Sequence, residues 1–197
     1  MEEREIKRCI CSKCGTKGEV IIFHRFGVEE RRMAETGALF QWKCSSCGAL
    51  YRFIYPCLYI NDKKKLAVRY RGEGKDFDFA LDLTGYCKRD CNSMEEISEK
   101  IRILEAGLDD RVMELLKLLT FAKLHIDDDS MEKIYFYRKN EIGNIEFTIF
   151  RGKEPDGIEV PKNVYANIEE LATQIPALPD EFVKIDLNWA GRQVKDY

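Results

Sequence analysis

The chain has 197 residues, 45 % apolar and 11 % aromatic, enough for the core of one large domain or two small ones. No apolar run reaches the ~20 residues of a membrane helix, and the charged opening Met1-Glu2-Glu3-Arg4-Glu5 lacks the apolar stretch of a signal peptide, so the expectation is a cytoplasmic protein. The net charge of −3 is unevenly spread: bases exceed acids by seven through Lys75, and acids exceed bases by ten from Asp76 onward.

The first third reads as β-structure. Val20-Ile21-Ile22-Phe23 is a β-branched apolar run, Leu39 to Cys44 is a second candidate strand, and Leu50 to Ile60 is rich in aromatic and branched residues. Asn61-Asp62 signals a turn before the Lys63-Lys64-Lys65 run, after which Leu66, Val68 and Tyr70 recur at period two. Phe77, Phe79 and Leu81 alternate with Asp76, Asp78, Ala80 and Asp82, which predicts one apolar and one acidic face.

The middle reads as two helices. Ser93 and Glu96 form a capping box, and Ile97, Ile101, Leu104 and Leu108 make one apolar stripe. Gly107 marks a corner, Asp109-Asp110 caps the second helix, and Val112, Leu115, Leu116 and Leu119 are expected on its buried face. The Asp127-Asp128-Asp129 run reads as a solvated loop.

The last third reads as α+β. Ile134–Tyr137 and Ile145–Phe150 are strands around a turn at Gly143-Asn144. Asn167 with Glu170 starts a short helix carrying Ile168, Leu171 and Ile175 and stopped by Pro176. Val183, Ile185, Leu187 and Trp189 alternate with polar residues and predict a final strand. The fold expected is α+β: an N-terminal β-rich zinc ribbon over residues 1–85, a two-helix segment over 86–125 and a C-terminal α+β region over 126–197.

The strongest chemical signal is a pair of C-x-x-C-G knuckles, Cys11-Ser12-Lys13-Cys14-Gly15 and Cys44-Ser45-Ser46-Cys47-Gly48. Two intervening residues let a tight turn bring both sulfurs to one ion. The glycine after each second cysteine can take positive φ, so that nearby backbone N–H groups point at the thiolates. Four thiolates then close a tetrahedral structural zinc site, with Cys11, Cys14, Cys44 and Cys47 as ligands and one Zn2+ per chain. The 29 residues between Cys14 and Cys44 suffice for a hairpin that brings the knuckles together. Cys9 offers a spare thiol beside the site, and spacing favours Cys11 as the ligand. A four-thiolate site has no open position for water, so it stabilises a fold and performs no hydrolysis.

These knuckles, the run Leu50-Tyr51-Arg52-Phe53-Ile54-Tyr55-Pro56-Cys57-Leu58-Tyr59 with its Lys63-Lys64-Lys65-Leu66 turn, and the helical block Ile103-Leu104-Glu105-Ala106-Gly107-Leu108-Asp109-Asp110-Arg111-Val112-Met113-Glu114 resemble the CpXC domain family over roughly residues 6–125. The resemblance implies a four-cysteine metal site and no activity. Where that family places proline after the first cysteine of a knuckle, this chain has Ser12 and Ser45, which make the same turn with less rigidity.

Other chemistry-bearing residues carry weaker signals. Cys87-Lys88-Arg89-Asp90-Cys91 sets two thiols beside basic residues, as a thiol-redox sensor would. Cys57 reads as core. His24 and His125 have no carboxylate or nucleophile at telling spacing. No phosphate loop, dinucleotide fingerprint, H-E-x-x-H or G-x-S-x-G occurs, and Arg71-Gly72-Glu73-Gly74-Lys75 is too short for a phosphate cradle, so the reading leans away from an enzyme. Three functions fit: a protein-interaction or scaffold module with a protein partner; a nucleic-acid binder using Arg25, Arg31, Arg32, Lys43 and Arg52 beside Phe26, Phe40 and Trp42; and a redox sensor using Cys87 and Cys91. The charge asymmetry also allows self-association.

Overall fold

The computed structural model describes residues 3–72, 81–124, 131–151 and 154–195. The fold is α+β, and contacts divide it into two compact units: residues 1–101 with 180–183, and residues 102–179 with 184–197.

In the first unit, β1 (Arg4–Ile10) and β2 (Lys17–Phe23) form an antiparallel hairpin that pairs Ile6 with Ile21 and Cys9 with Gly18. The short β3 (Arg25–Phe26) follows, then helix α1 (Arg31–Glu35) and a single 3-10 turn at Ala38–Phe40. A second hairpin joins β4 (Gln41–Lys43) to β5 (Leu50–Arg52). The span from Leu39 to Cys44, expected as one strand, is thus divided between the 3-10 turn and β4. The run from Leu50 to Ile60 is also two strands, because Pro56 lacks a ladder N–H. Its second half, β6 (Cys57–Asn61), is buried at every residue.

β6 lies inside a four-stranded mixed sheet of order β3-β6-β7-β8, with β7 (Leu66–Tyr70) antiparallel to β6 and β8 (Cys87–Cys91) parallel to β7. The side-chain oxygen of Asn61 accepts from the Lys64 N–H and fixes the β6–β7 turn. Leu58, Ile60 and Ala67 form a buried cluster packed by Leu83, Tyr86 and Phe182. Phe77 and Phe79 lie outside the described residues, as do His125 and Asp127–Asp129.

Helix α2 (Met94–Glu105) begins as the sequence predicts: Ser93 Oγ accepts from the Glu96 N–H, and the Glu96 carboxylate accepts from the Asn92 N–H. Ile97 and Ile101 on its stripe are fully buried.

In the second unit, Gly107 turns the chain with φ +71° into α3 (Asp110–Lys123), whose N-cap Asp109 accepts from the Arg111 N–H. Val112, Met113 and Leu116 are buried there, whereas Leu119, expected on the same face, is exposed. Strands β9 (Met131–Lys139), β10 (Ile145–Arg151) and β11 (Glu154–Val160) form an antiparallel sheet of order β11-β10-β9, and its core holds Ile134, Phe136, Ile145, Phe147 and Ile149.

Helix α4 (Lys162–Ala172) starts after Pro161 and holds Asn167 in its interior, so Asn167 is not the expected cap. The expected final strand is replaced by α5 (Leu187–Lys195). The Asp186 carboxylate accepts from the Trp189 N–H, an N-cap that redirects the chain into a helix with Trp189 and Ala190 buried. Helix α3 packs against both α4 and α5.

Candidate metal centre

The two knuckles are the turns of the two hairpins, and they repeat one geometry. In the first, the Cys11 N–H donates to the Thr16 carbonyl at 2.9 Å, and the Gly15 N–H donates to the Cys11 carbonyl at 2.8 Å. In the second, the Cys44 N–H donates to the Ala49 carbonyl at 2.8 Å, and the Gly48 N–H donates to the Cys44 carbonyl at 3.0 Å. Gly15 and Gly48 take φ of +75° and +71°, the left-handed conformation that the C-x-x-C-G spacing calls for.

This pairing brings the sulfurs of Cys11, Cys14, Cys44 and Cys47 within 4.8 Å of one another. Cys11 Sγ lies 3.5 Å from Cys47 Sγ, and Cys14 Sγ lies 3.6 Å from Cys44 Sγ, so each first cysteine meets the second cysteine of the other knuckle. Four sulfurs around an ion at bonds of about 2.3 Å would stand about 3.8 Å apart, so the cluster can hold a metal ion with little adjustment. The donor set contains sulfur alone, which suits a soft or borderline tetrahedral ion. Cys11 and Cys44 are buried, while Cys14 faces solvent. Cys9 stands on β1 opposite Gly18 and is not one of the four clustered sulfurs.

The surroundings favour thiolates unequally. The Tyr51 hydroxyl beside Cys11 draws that thiol down to about 6 despite its burial. Hydrogen bonding with the Thr16 side chain and backbone lowers Cys14. At Cys47 the Ala49 backbone N–H acts in the same direction, but burial and the three neighbouring sulfurs outweigh it and push the thiol up to about 12. Four thiols this close do not all ionise without a cation among them.

The other candidates stand elsewhere. Cys57 is fully buried, and burial pushes its thiol up. Cys87 and Cys91 stand at opposite ends of β8. Four residues of extended chain separate their Cα atoms by about 13 Å, well beyond the range of about 4.4–6.8 Å that a disulfide spans. Of the redox-sensor reading, the structure therefore leaves no geometry for a disulfide between these two. The His24 ring sits at a bend, with Nδ1 3.1 Å from the Pro56 carbonyl and Nε2 3.4 Å from a Glu5 carboxylate oxygen, a structural setting.

Of the residues read as a nucleic-acid surface, Phe26 and Phe40 are buried, and Trp42 packs on Tyr51 with ring centroids 5.5 Å apart. Arg25, Arg31 and Arg52 form ion pairs with Glu3, Glu35 and Glu95. Arg32 and Lys43 are exposed.

One feature of the first unit carries no motif in the sequence: a cavity of about 490 Å³ lined by Arg69, Arg71, Lys88, Asp180 and Phe182 among others. Its charges compensate one another. Arg69 clasps Asp90 through two hydrogen bonds and lies 3.7 Å over the Phe182 ring, and Lys88 Nζ is 2.7 Å from Asp180 Oδ1.

Two hairpins with matched C-x-x-C-G turns closing four sulfurs on one point define a four-cysteine ribbon, a module whose cluster could hold a single metal ion. A family model described as CpXC protein matches residues 10–117, more than half of the chain and both knuckles. The chain belongs to the CpXC family. No curated protein and no solved structure matches it with significant similarity.

Proposed function

We propose that the cluster binds one zinc ion as a closed structural centre, and that the ribbon so fixed is a protein-interaction module. The observation that carries the metal half is the all-sulfur cluster itself, four sulfurs within 4.8 Å with matching knuckle geometry. Zinc takes such sets readily, and a filled tetrahedron leaves no position for a substrate. A reducing, cytoplasmic setting is the one in which these thiolates persist.

The β1–β2 hairpin supports the interaction half. Ile6 and Ile21 pair across it at 65 % and 47 % exposure, and Ile10 on the same face is 66 % exposed. Arg8, opposite Glu19, and Lys17, opposite Ile10, alternate with them on that face. An exposed apolar row interrupted by the facing Arg8 and Glu19, with Lys17 at its end, suits a protein surface that carries apolar and polar groups. Metal bound at the turn of this hairpin would hold the row rigid, lowering the entropy cost of docking.

Cobalt substitution tests the metal half: the intense visible bands of tetrahedral thiolate coordination are expected, and weak octahedral bands would refute it. The interaction half is tested by capture with zinc-loaded wild type beside the zinc-loaded double variant Ile6→Asp, Ile21→Asp. A protein held by wild type, lost with the variant and rebinding as a purified component is the expected result. Identical capture by both proteins would refute the assignment of this face.

A further inference from the structure

Tyr51 lies on β5, part of the hairpin that carries the second knuckle, yet its hydroxyl reaches the first. It stands 3.1 Å from Cys11 Sγ, 3.0 Å from Ser12 Oγ and 3.3 Å from the Lys13 backbone nitrogen. A phenol has one proton to donate and lone pairs to accept with. Lys13 N–H can only donate to it, and the Ser12 hydroxyl is free to do the same. That leaves the phenolic proton for the sulfur of Cys11. All three contacts are then satisfied at once, with the proton aimed at the atom that becomes the most electron-rich when the thiolate forms.

The ring is held for this task. Trp42 pairs with Tyr51 across the β4–β5 ladder, and their rings lie 5.5 Å apart at 34°. The hydroxyl is therefore delivered from a packed ring on a strand, and it ties the two hairpins together through a bond that does not need the ion. The first knuckle has a second hydroxyl at its other cysteine, since Thr16 Oγ1 lies 3.2 Å from Cys14 Sγ. The equivalent place in the second knuckle is Ala49, which has no hydroxyl.

We infer that Tyr51 is a positioning residue of the metal centre: with Ser12 and Lys13 donating to its oxygen, it donates its proton to the Cys11 thiolate and holds the first knuckle closed on the ion. This rests on the zinc reading above. A hydrogen bond to a coordinated thiolate withdraws electron density from the sulfur and ties that ligand and its knuckle to the packed strand of the other hairpin, so the bond slows release.

The test compares full-length wild type with Tyr51→Phe, which keeps the ring against Trp42 and removes only the oxygen. Both proteins are loaded with zinc and mixed with excess EDTA, and both are loaded with cobalt(II) for spectroscopy. The variant is expected to bind one ion per chain, to lose zinc about 10- to 100-fold faster, and to show its sulfur-to-cobalt charge-transfer band at lower energy. A merely structural role for the phenol would not move that band. Placing 3-fluorotyrosine at position 51 is the second arm, usable even if Tyr51→Phe does not fold. Its more acidic phenol should slow release and move the band to higher energy. Wild type that binds while either substitution matches it in rate and band overturns this inference alone. Wild type that takes up neither ion overturns the zinc reading and this inference with it.

Discussion

Gly18 on β2 lies directly beneath the indole of Trp42 on β4, so that a Cβ added at Gly18 would overlap the six-membered ring. Glycine is required here for close approach and not for an unusual backbone angle. The contact sets the hairpin of the first knuckle against the hairpin of the second, and so bears on whether four sulfurs can meet. Gly18→Ala is expected to destabilise the metal-loaded protein by about 1–3 kcal/mol, the usual cost of overpacking. Chemical denaturation of the variant beside wild type measures it, and equal midpoints and slopes would contradict the packing described.

Metal affinity should depend steeply on pH. A thiol must lose its proton to become a ligand, and Cys47, pushed up to about 12, is protonated at neutral pH until an ion displaces that proton. The sign follows: protons compete with the ion, so binding weakens as pH falls and strengthens as it rises. Competition titrations at about pH 6 and about pH 8 should show weaker binding at the lower value. Equal affinity at both would mean that thiols are not the ligands.

Cys87 and Cys91 are expected to form no disulfide with each other, because β8 holds them at opposite ends of a strand. Peptide mapping after mild peroxide treatment of folded protein reads this directly. A major cross-linked peptide joining the two would contradict the strand assignment.

Asp109→Ala should cost about 1 kcal/mol, since the carboxylate caps α3. The same group clasps the Arg111 guanidinium, at 2.6 Å in its shortest contact, but both side chains are about a quarter exposed, so the pair adds little. Asp109→Asn keeps a capping oxygen and should lose only a fraction of that amount. Thermal melts of the two variants separate cap from charge, and equal losses in both would assign the effect to the ion pair.

How much of this was legible in the chain depends on how local each signal is. The knuckles were plain because turn, glycine and sulfur lie within five consecutive residues, and the cap at Ser93 and corner at Gly107 were legible for the same reason. Strand β11 was missed because Glu154-Pro155-Asp156-Gly157 reads as a turn. The sheet tolerates this proline because β11 is an edge strand. The apolar residues from Val183 to Trp189 alternate like a strand, yet Asp186 starts a helix in their midst, and packing of α5 on α3 decides the outcome.

At the metal centre the ligands were legible and their neighbours were not. Tyr51 and Cys11 stand forty residues apart in sequence and meet only through the packing of two hairpins. Phe26 and Phe40 looked like stacking platforms beside arginines, but burial claims both.

The central claim, that four cysteines hold one structural zinc, is tested most directly by elemental analysis of protein purified without added metal, with Cys11→Ser and Cys44→Ser prepared alongside. The account predicts one zinc per chain in wild type, with zinc lost and the melting temperature lowered in both variants. Folded, freshly reduced wild type without bound metal that also fails to take up added zinc would contradict it.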